Sequence, residues 1–130
     1  MAAVKVLLEQ ALARARAAGI ADEEIVLDPG IGFFRHEAVS WDEWDARVLA
    51  GLSGLTALGR PLGLGVSRKS FLGAITGQEE PARRLAGSLA ATAVAVLEGA
   101  ALIRTHDVAD TVDAVRVAER LRRARVVRTS

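Results

Sequence analysis

The sequence predicts an α/β chain of successive parallel strand and helix units carrying an incomplete sheet. Three observations lead there. Three short apolar runs, Ile25-Val26-Leu27, Leu62-Gly63-Leu64-Gly65-Val66 and Ala101-Leu102-Ile103, each end in a polar cluster. Segments with helical spacing of apolar residues lie between them. The clusters recur at a near-constant interval, 40 positions from Asp28 to Arg68 and 36 from Arg68 to Arg104, which is room for a strand, a crossover helix and their loops.

The first helix is expected over residues 2–18, where Val4, Leu7, Leu8, Ala11, Leu12 and Ala15 recur at three and four positions and Gly19 ends the run. Ile25-Val26-Leu27 is short, branched and stopped by Asp28-Pro29-Gly30, as a buried strand would be. Ser40-Trp41-Asp42-Glu43 has capping-box spacing, and Trp41, Trp44, Val48, Leu52 and Leu55 follow on one stripe. The glycines of the second strand weaken its propensity but admit a ligand or other backbone at close range. Pro81 suits the first turn of a third helix, in which Leu85, Leu89, Thr92, Val96 and many alanines face a sheet before Gly99 ends it. After the third strand, Val108, Val112, Val115 and Leu121 mark a last helix with an apolar face requiring burial.

Two architectures fit this order: a small doubly wound sheet, or consecutive units of an eight-stranded TIM barrel. A barrel takes roughly 250 residues, about 30 to 35 per unit, so 130 residues hold about three units and the helix before them. The expected fold is therefore a partial TIM barrel. Residues 1–130 would form the C-terminal part of a (β/α)8 barrel, with strands near 25–28, 62–66 and 101–104. Its parallel sheet would keep unpaired edges and one uncovered face.

Composition narrows the function classes. Hydrophobic residues make up 51% and charged residues 25%, too apolar for a disordered segment, and no apolar run approaches a membrane span. No cysteine is present, which removes disulfides, thiolate metal sites and a cysteine nucleophile. The start MAAVKVLLEQ does not resemble a secretory signal, so a cytoplasmic location is expected. The net charge of +1 does not point to nucleic acid. Arg116, Arg120, Arg122, Arg123, Arg125 and Arg128 form either a solvated helix face or an anion-attracting tail, without aromatic residues beside them for stacking on bases.

The chemistry-bearing groups sit after the three strands, where parallel folds collect ligands. Asp28 is either an acceptor for a paired donor edge on a ligand or a turn-forming aspartate. Phe33 and Phe34 place aromatic rings at the same rim. Ser67-Arg68-Lys69-Ser70 offers two cations and two hydroxyls suited to an anion, and it is not a Walker A loop. Arg104-Thr105-His106-Asp107 adds a guanidinium, an imidazole and a carboxylate; Asp107 would orient His106 or cap the next helix. A triad can be counted from Ser67 or Ser70 with His106 and Asp107, but no nucleophile elbow supports it. His36 and His106 lack the spacing of a zinc pair, so no metal ligand is assigned in this chain.

IVLDPGIGF, GLGVSRKSFLG and RLAGSLAATAVAVLEGAALIRTHDV, in this order and spacing, resemble the C-terminal half of dihydropteroate synthase. The resemblance implies a transferase of folate biosynthesis that joins p-aminobenzoate to 6-hydroxymethyl-7,8-dihydropterin pyrophosphate, releasing pyrophosphate. It implies that Asp28 binds the amino and N3 edge of the pterin. Lys69 would contact the pterin carbonyl region, while Arg104 and His106 cradle the diphosphate and Arg104 also covers the pterin. Phe33, Arg68 and Ser70 would shape the p-aminobenzoate side. Lys69, Arg104 and His106 would be the catalytic groups, through charge stabilisation and placement of the reactants.

Two departures from the family pattern stand out. Phe34 and Arg35 replace the glycine and lysine usual after the first motif, a change expected to affect loop closure. The family's magnesium-associated asparagine and two mobile loops belong to N-terminal segments with no counterpart here, so Mg2+ is expected only in the parent enzyme and the isolated chain is expected to show little or no synthase activity. A complementing N-terminal half or a homodimer are the expected protein partners. The alternatives are a non-catalytic half-barrel that completes or contacts another chain, and a pterin-binding methyltransferase module.

Overall fold

The computed structural model describes residues 1–33 and 38–127. Phe34, Arg35 and His36 lie outside the described residues, as does Arg128. Helix α1 (Ala2–Ala17) buries Val4, Leu8 and Leu12, which a four-residue spacing sets on one stripe. The chain reverses at Gly19, whose φ of 83° glycine adopts without steric penalty. Arg16 then donates two 2.7 Å bonds to Asp22, securing a 3-10 turn at Asp22–Glu24.

The strand expected near 25–28 is reduced to one bridging residue. Leu27 donates to the Pro61 carbonyl at 2.9 Å and accepts from the Gly63 N–H at 2.8 Å, in parallel register with Leu62. Ile25 is extended, with φ −104° and ψ 125°, but the ladder begins and ends at Leu27, and Pro29 beyond it has no N–H to give. Strands β1 (Leu62–Leu64) and β2 (Ala100–Ile103) pair in parallel, Leu62 opposite Ala100, Gly63 opposite Leu102 and Leu64 opposite Ile103. The Arg104 N–H carries the pairing one residue further by donating to the Leu64 carbonyl at 2.8 Å. Leu27, β1 and β2 thus lie side by side in chain order and direction, and the polar groups that follow them emerge at one rim. This is an open, partial barrel of parallel βα units.

One face of the sheet carries Leu27, Leu62 and Leu64, all buried against the helices. On the other face Val26 and Leu102 approach Gly63, where an added Cβ would lie 3.0 Å from a Val26 methyl, and both remain about half exposed. Helix α2 (Trp41–Ala50) starts at Ser40 without a side-chain cap, so the capping box does not form, and a 3-10 helix over Leu52–Leu58 continues its buried stripe of Val48, Leu52 and Leu55. A short helix, α3 (Ser70–Thr76), follows the Ser67-Arg68-Lys69 turn; seven residues are too few to show a period in sequence. Pro81 opens a 3-10 turn, Pro81–Arg83, rather than the next helix, and α4 (Leu85–Leu97) begins after it.

Helix α5 (Val108–Val127) contacts α4 differently from expectation. Among its described side chains the buried ones are Thr111 and Ala118, while Val108 and Leu121 are 62% and 53% exposed. Small side chains let the two helices approach closely, and that rotation turns the valine stripe into an open groove of about 740 Å³ along β2. Arg122 donates from Nη1 to the Val96 carbonyl at 3.1 Å, a second bond to an oxygen near the end of α4 that also accepts the Gly99 N–H at 3.2 Å. Among the described residues, no helix is long and apolar enough to cross a membrane.

Candidate functional site

The turn between β1 and α3 sets the geometry. Arg68 has φ of 57°, the single positive value among described non-glycine residues, a conformation costing a side-chain-bearing residue about 1 to 3 kcal/mol. Surrounding bonds hold it there. The Arg68 N–H donates to Ser88 Oγ at 2.8 Å, and Arg84 Nη1 donates to the Arg68 carbonyl at 3.0 Å. Arg84 also donates from Nε to the Gln78 carbonyl at 2.8 Å and from Nη2 to the Glu79 carbonyl, so one guanidinium ties the turn to the loop beyond α3.

The Arg68 guanidinium reaches across to the loop after β2, donating to both carboxylate oxygens of Asp107 at 3.1 and 2.6 Å. These bonds hold the Asp107 carboxyl below its usual range, helped by the attraction of Arg68 and His106 and opposed by partial burial; the same bonds raise Arg68. Asp107 therefore neither orients His106 nor caps α5 through its side chain, because Arg68 occupies it.

With Arg68 fixed in this way, the adjacent Lys69 belongs to a separate group. Lys69, Arg104 and His106 line one open cleft of about 440 Å³, together with Gly65, Ser67 and Thr105. Glycines make room for the cations. An added Cβ at Gly65 would lie 2.8 Å from Arg104 Nη2, and one at Gly32 would lie 3.2 Å from Lys69 Nζ. The ammonium also sits 4.5 Å from the centre of the Phe33 ring, a cation–π distance. Ser67 Oγ lies 2.8 Å from His106 Nδ1. No nucleophilic triad forms, since Asp107 faces Arg68 rather than the second nitrogen of His106.

The strand ends share a rim, but their side chains are distributed unequally. Lys69, Arg104 and His106 converge, and Phe33 joins them through Lys69. Asp28, Arg68 and Ser70 are not among the residues lining the cleft. Asp28 closes a turn by accepting the Gly30 N–H on Oδ1 at 2.8 Å and, with Pro29, flanks a hollow beside α1. The described residues contain no group of three His, Cys, Asp or Glu side chains able to hold a metal, and the cleft presents cations, so these residues do not fit a magnesium site.

Three positioning groups escaped the sequence, Asp45, Arg84 and Ser88, whereas Ser67 stood out there as a hydroxyl suited to an anion. Asp45, 1% exposed, accepts the Gly32 N–H on Oδ1 at 2.9 Å and anchors the loop beneath Phe33. Asp45 and Ser88 carried a usable signal, because each is a polar residue on the inward stripe of an amphipathic helix.

Residues 1–106 match the family model described as pterin binding enzyme. Dihydropteroate synthase of Escherichia coli (strain K12) is 42% identical over 108 residues, covering 83% of this chain and 36% of that protein. The structure is similar to dihydropteroate synthase from Xanthomonas albilineans in complex with 7,8-dihydropteroate, with a TM-score of 0.85 and 40% identity over 92% of this chain and 44% of that one. The same Xanthomonas albilineans synthase with 4-aminobenzoic acid gives a TM-score of 0.84 and 40% identity, covering 92% of this chain and 42% of that one. The chain spans about a third of the length of the curated relatives it matches.

Proposed function

Because the chain belongs to the pterin-binding enzyme family, we propose that its cleft is the leaving-group side of a dihydropteroate synthase site. The observation that carries this is the gathering of Lys69, Arg104 and His106 around one cleft, with Lys69 also seated on Gly32 and Phe33. In the proposed reaction the carbon–oxygen bond between the pterin methylene and its pyrophosphate breaks, and the electron pair departs with the pyrophosphate oxygen. The amine of p-aminobenzoate supplies the pair for the new carbon–nitrogen bond and gives up one proton. Dihydropteroate and pyrophosphate result.

The residues of this chain act by charge and placement. Arg104 and His106 donate to the departing pyrophosphate, whose negative charge grows as the bond breaks. Lys69, bridging the phosphate cleft and the Asp28 loop, contacts the pterin carbonyl region. Asp28 uses Oδ1 for the Gly30 N–H, which leaves Oδ2 for the donor edge of the pterin. Phe33 and Ser70 shape the p-aminobenzoate side, and Arg68 does so through its turn, since its guanidinium is held by Asp107. A magnesium ion, where the whole enzyme uses one, would be held by residues outside this chain. A cytoplasmic location and a homodimer or complementing barrel segment belong to the same proposal.

In a complete enzyme carrying this segment, Lys69→Ala and Arg104→Ala, made separately, are expected to lower turnover by about a hundredfold or more each. Unchanged turnover in both variants would overturn the assignment. Purified on its own, the 130-residue chain is expected to turn over both substrates little or not at all, and a rate matching a complete synthase would contradict that.

A further inference from the structure

We propose that Ser67 is a positioning residue that sets the tautomer of His106, placing the ring proton on Nε2 so that the neutral imidazole is a hydrogen-bond donor on the wall of the cleft. This rests on the proposed anion role of the cleft only for its purpose, not for its geometry. Ser67 Oγ has one proton and two lone pairs. It accepts the backbone N–H of His106 at 3.2 Å, a group that can only donate, and it lies 2.8 Å from His106 Nδ1.

Two arrangements are open to that second contact. If Nδ1 carried the proton, both lone pairs of Oγ would be occupied and the hydroxyl proton would point at no acceptor among the described residues. Ser67 is buried, 8% exposed, where an unused donor is unfavourable by about 1 to 3 kcal/mol. If the hydroxyl donates to Nδ1, the Ser67 hydroxyl, Nδ1 and the His106 N–H are all satisfied, and in the neutral ring the proton must reside on Nε2. That nitrogen has no protein partner among the described residues, and its side chain lines the cleft with Lys69 and Arg104.

In the neutral ring this arrangement gives the cleft a third donor beside Lys69 and Arg104. Both bonds from Ser67 cross from the loop after β1 to the loop after β2, so the residue fixes the orientation of the ring as well as its proton. The neighbouring Arg68–Asp107 pair holds the same two loops together.

The decisive measurement is the 15N spectrum of the His106 ring in the full chain, at a pH where the imidazole is neutral. The expected pattern is a pyridine-type Nδ1 and a pyrrole-type Nε2. Ser67→Ala should draw the two resonances together as the tautomers exchange, and Ser67→Thr, which keeps the hydroxyl, should restore the separation. Titration with inorganic pyrophosphate is the second arm, with Ser67→Ala binding about two- to tenfold more weakly, the equivalent of one hydrogen bond. A pyrrole-type Nδ1 in the unchanged chain, or a ring spectrum unaltered by Ser67→Ala, overturns the proposal. The expected tautomer without any pyrophosphate binding supports the Ser67 assignment and instead counts against the proposed function.

Discussion

Gly65→Ala separates placement of a cation from stability of the fold. Gly65 follows β1 and has no positive φ, so alanine fits its backbone. The added Cβ would lie 2.8 Å from Arg104 Nη2, 3.2 Å from Cζ and 3.4 Å from Nε. Ordinary contacts between heavy atoms of this kind start near 3.5 Å, so the guanidinium must retreat by roughly 0.7 Å or rotate away. All three atoms belong to the far end of a long, exposed side chain, and the move should change unfolding free energy by less than about 1 kcal/mol. The consequence for an anion is larger. A guanidinium fork binds two oxygens only in register, and losing one charge-assisted bond, about 1.5 to 3 kcal/mol, corresponds to about ten- to hundredfold weaker binding. Calorimetric titration of the 130-residue chain with pyrophosphate, beside urea unfolding of the same samples, measures both quantities. Pyrophosphate affinity within about twofold of the unchanged chain, at an unchanged unfolding midpoint, would refute the placement of Arg104 as the anion's anchor.

Two further outcomes follow from the turn that carries Lys69. Ser88→Ala removes the acceptor of the Arg68 N–H from a buried site and should lower stability by about 1 to 3 kcal/mol, read as a lower urea midpoint at unchanged slope; an unmoved midpoint would show that Ser88 does not hold the turn. Asp107 is held below its ordinary value of 3.8 by the Arg68 bonds, so the folded state gives up this proton more readily than the unfolded one. The stability this confers is complete above the ordinary carboxylate range and is lost as pH falls through the lowered value in the folded chain. Asp107→Asn should therefore flatten the fall in urea midpoint below pH 3.8, and an identical slope in both proteins would contradict the pairing. Asp22, lowered by Arg16, titrates in the same window and remains as a residual slope.

Much of this organisation could be read in the chain itself. The apolar stripe of α1, the stop at Gly19, the order of βα units and the polar clusters at their ends follow from local periodicity and turn chemistry, which act over a few residues. The same locality explains where expectation and structure part. Ile25-Val26-Leu27 has strand composition and Ile25 is extended, yet the segment contributes one bridge, because pairing depends on where the neighbouring strand runs and not on local composition. The valines of α5 have helical spacing, yet the close fit of Thr111 and Ala118 against α4 decides which side of the helix is covered.

The sequence by itself determined that cations, hydroxyls and an imidazole would collect at one rim of parallel strands, since each cluster directly follows a strand. Only the tertiary structure decided how those groups divide their work. Arg68 and Lys69 are neighbours, but one is drawn to Asp107 and the other faces Phe33 and Arg104's cleft. The reason is physical: a left-handed turn sends adjacent side chains in different directions, and charge-assisted bonds act only over a few ångströms. Whether a cation is spent within the protein or left facing the cleft depends on a carboxylate 39 positions away in the chain.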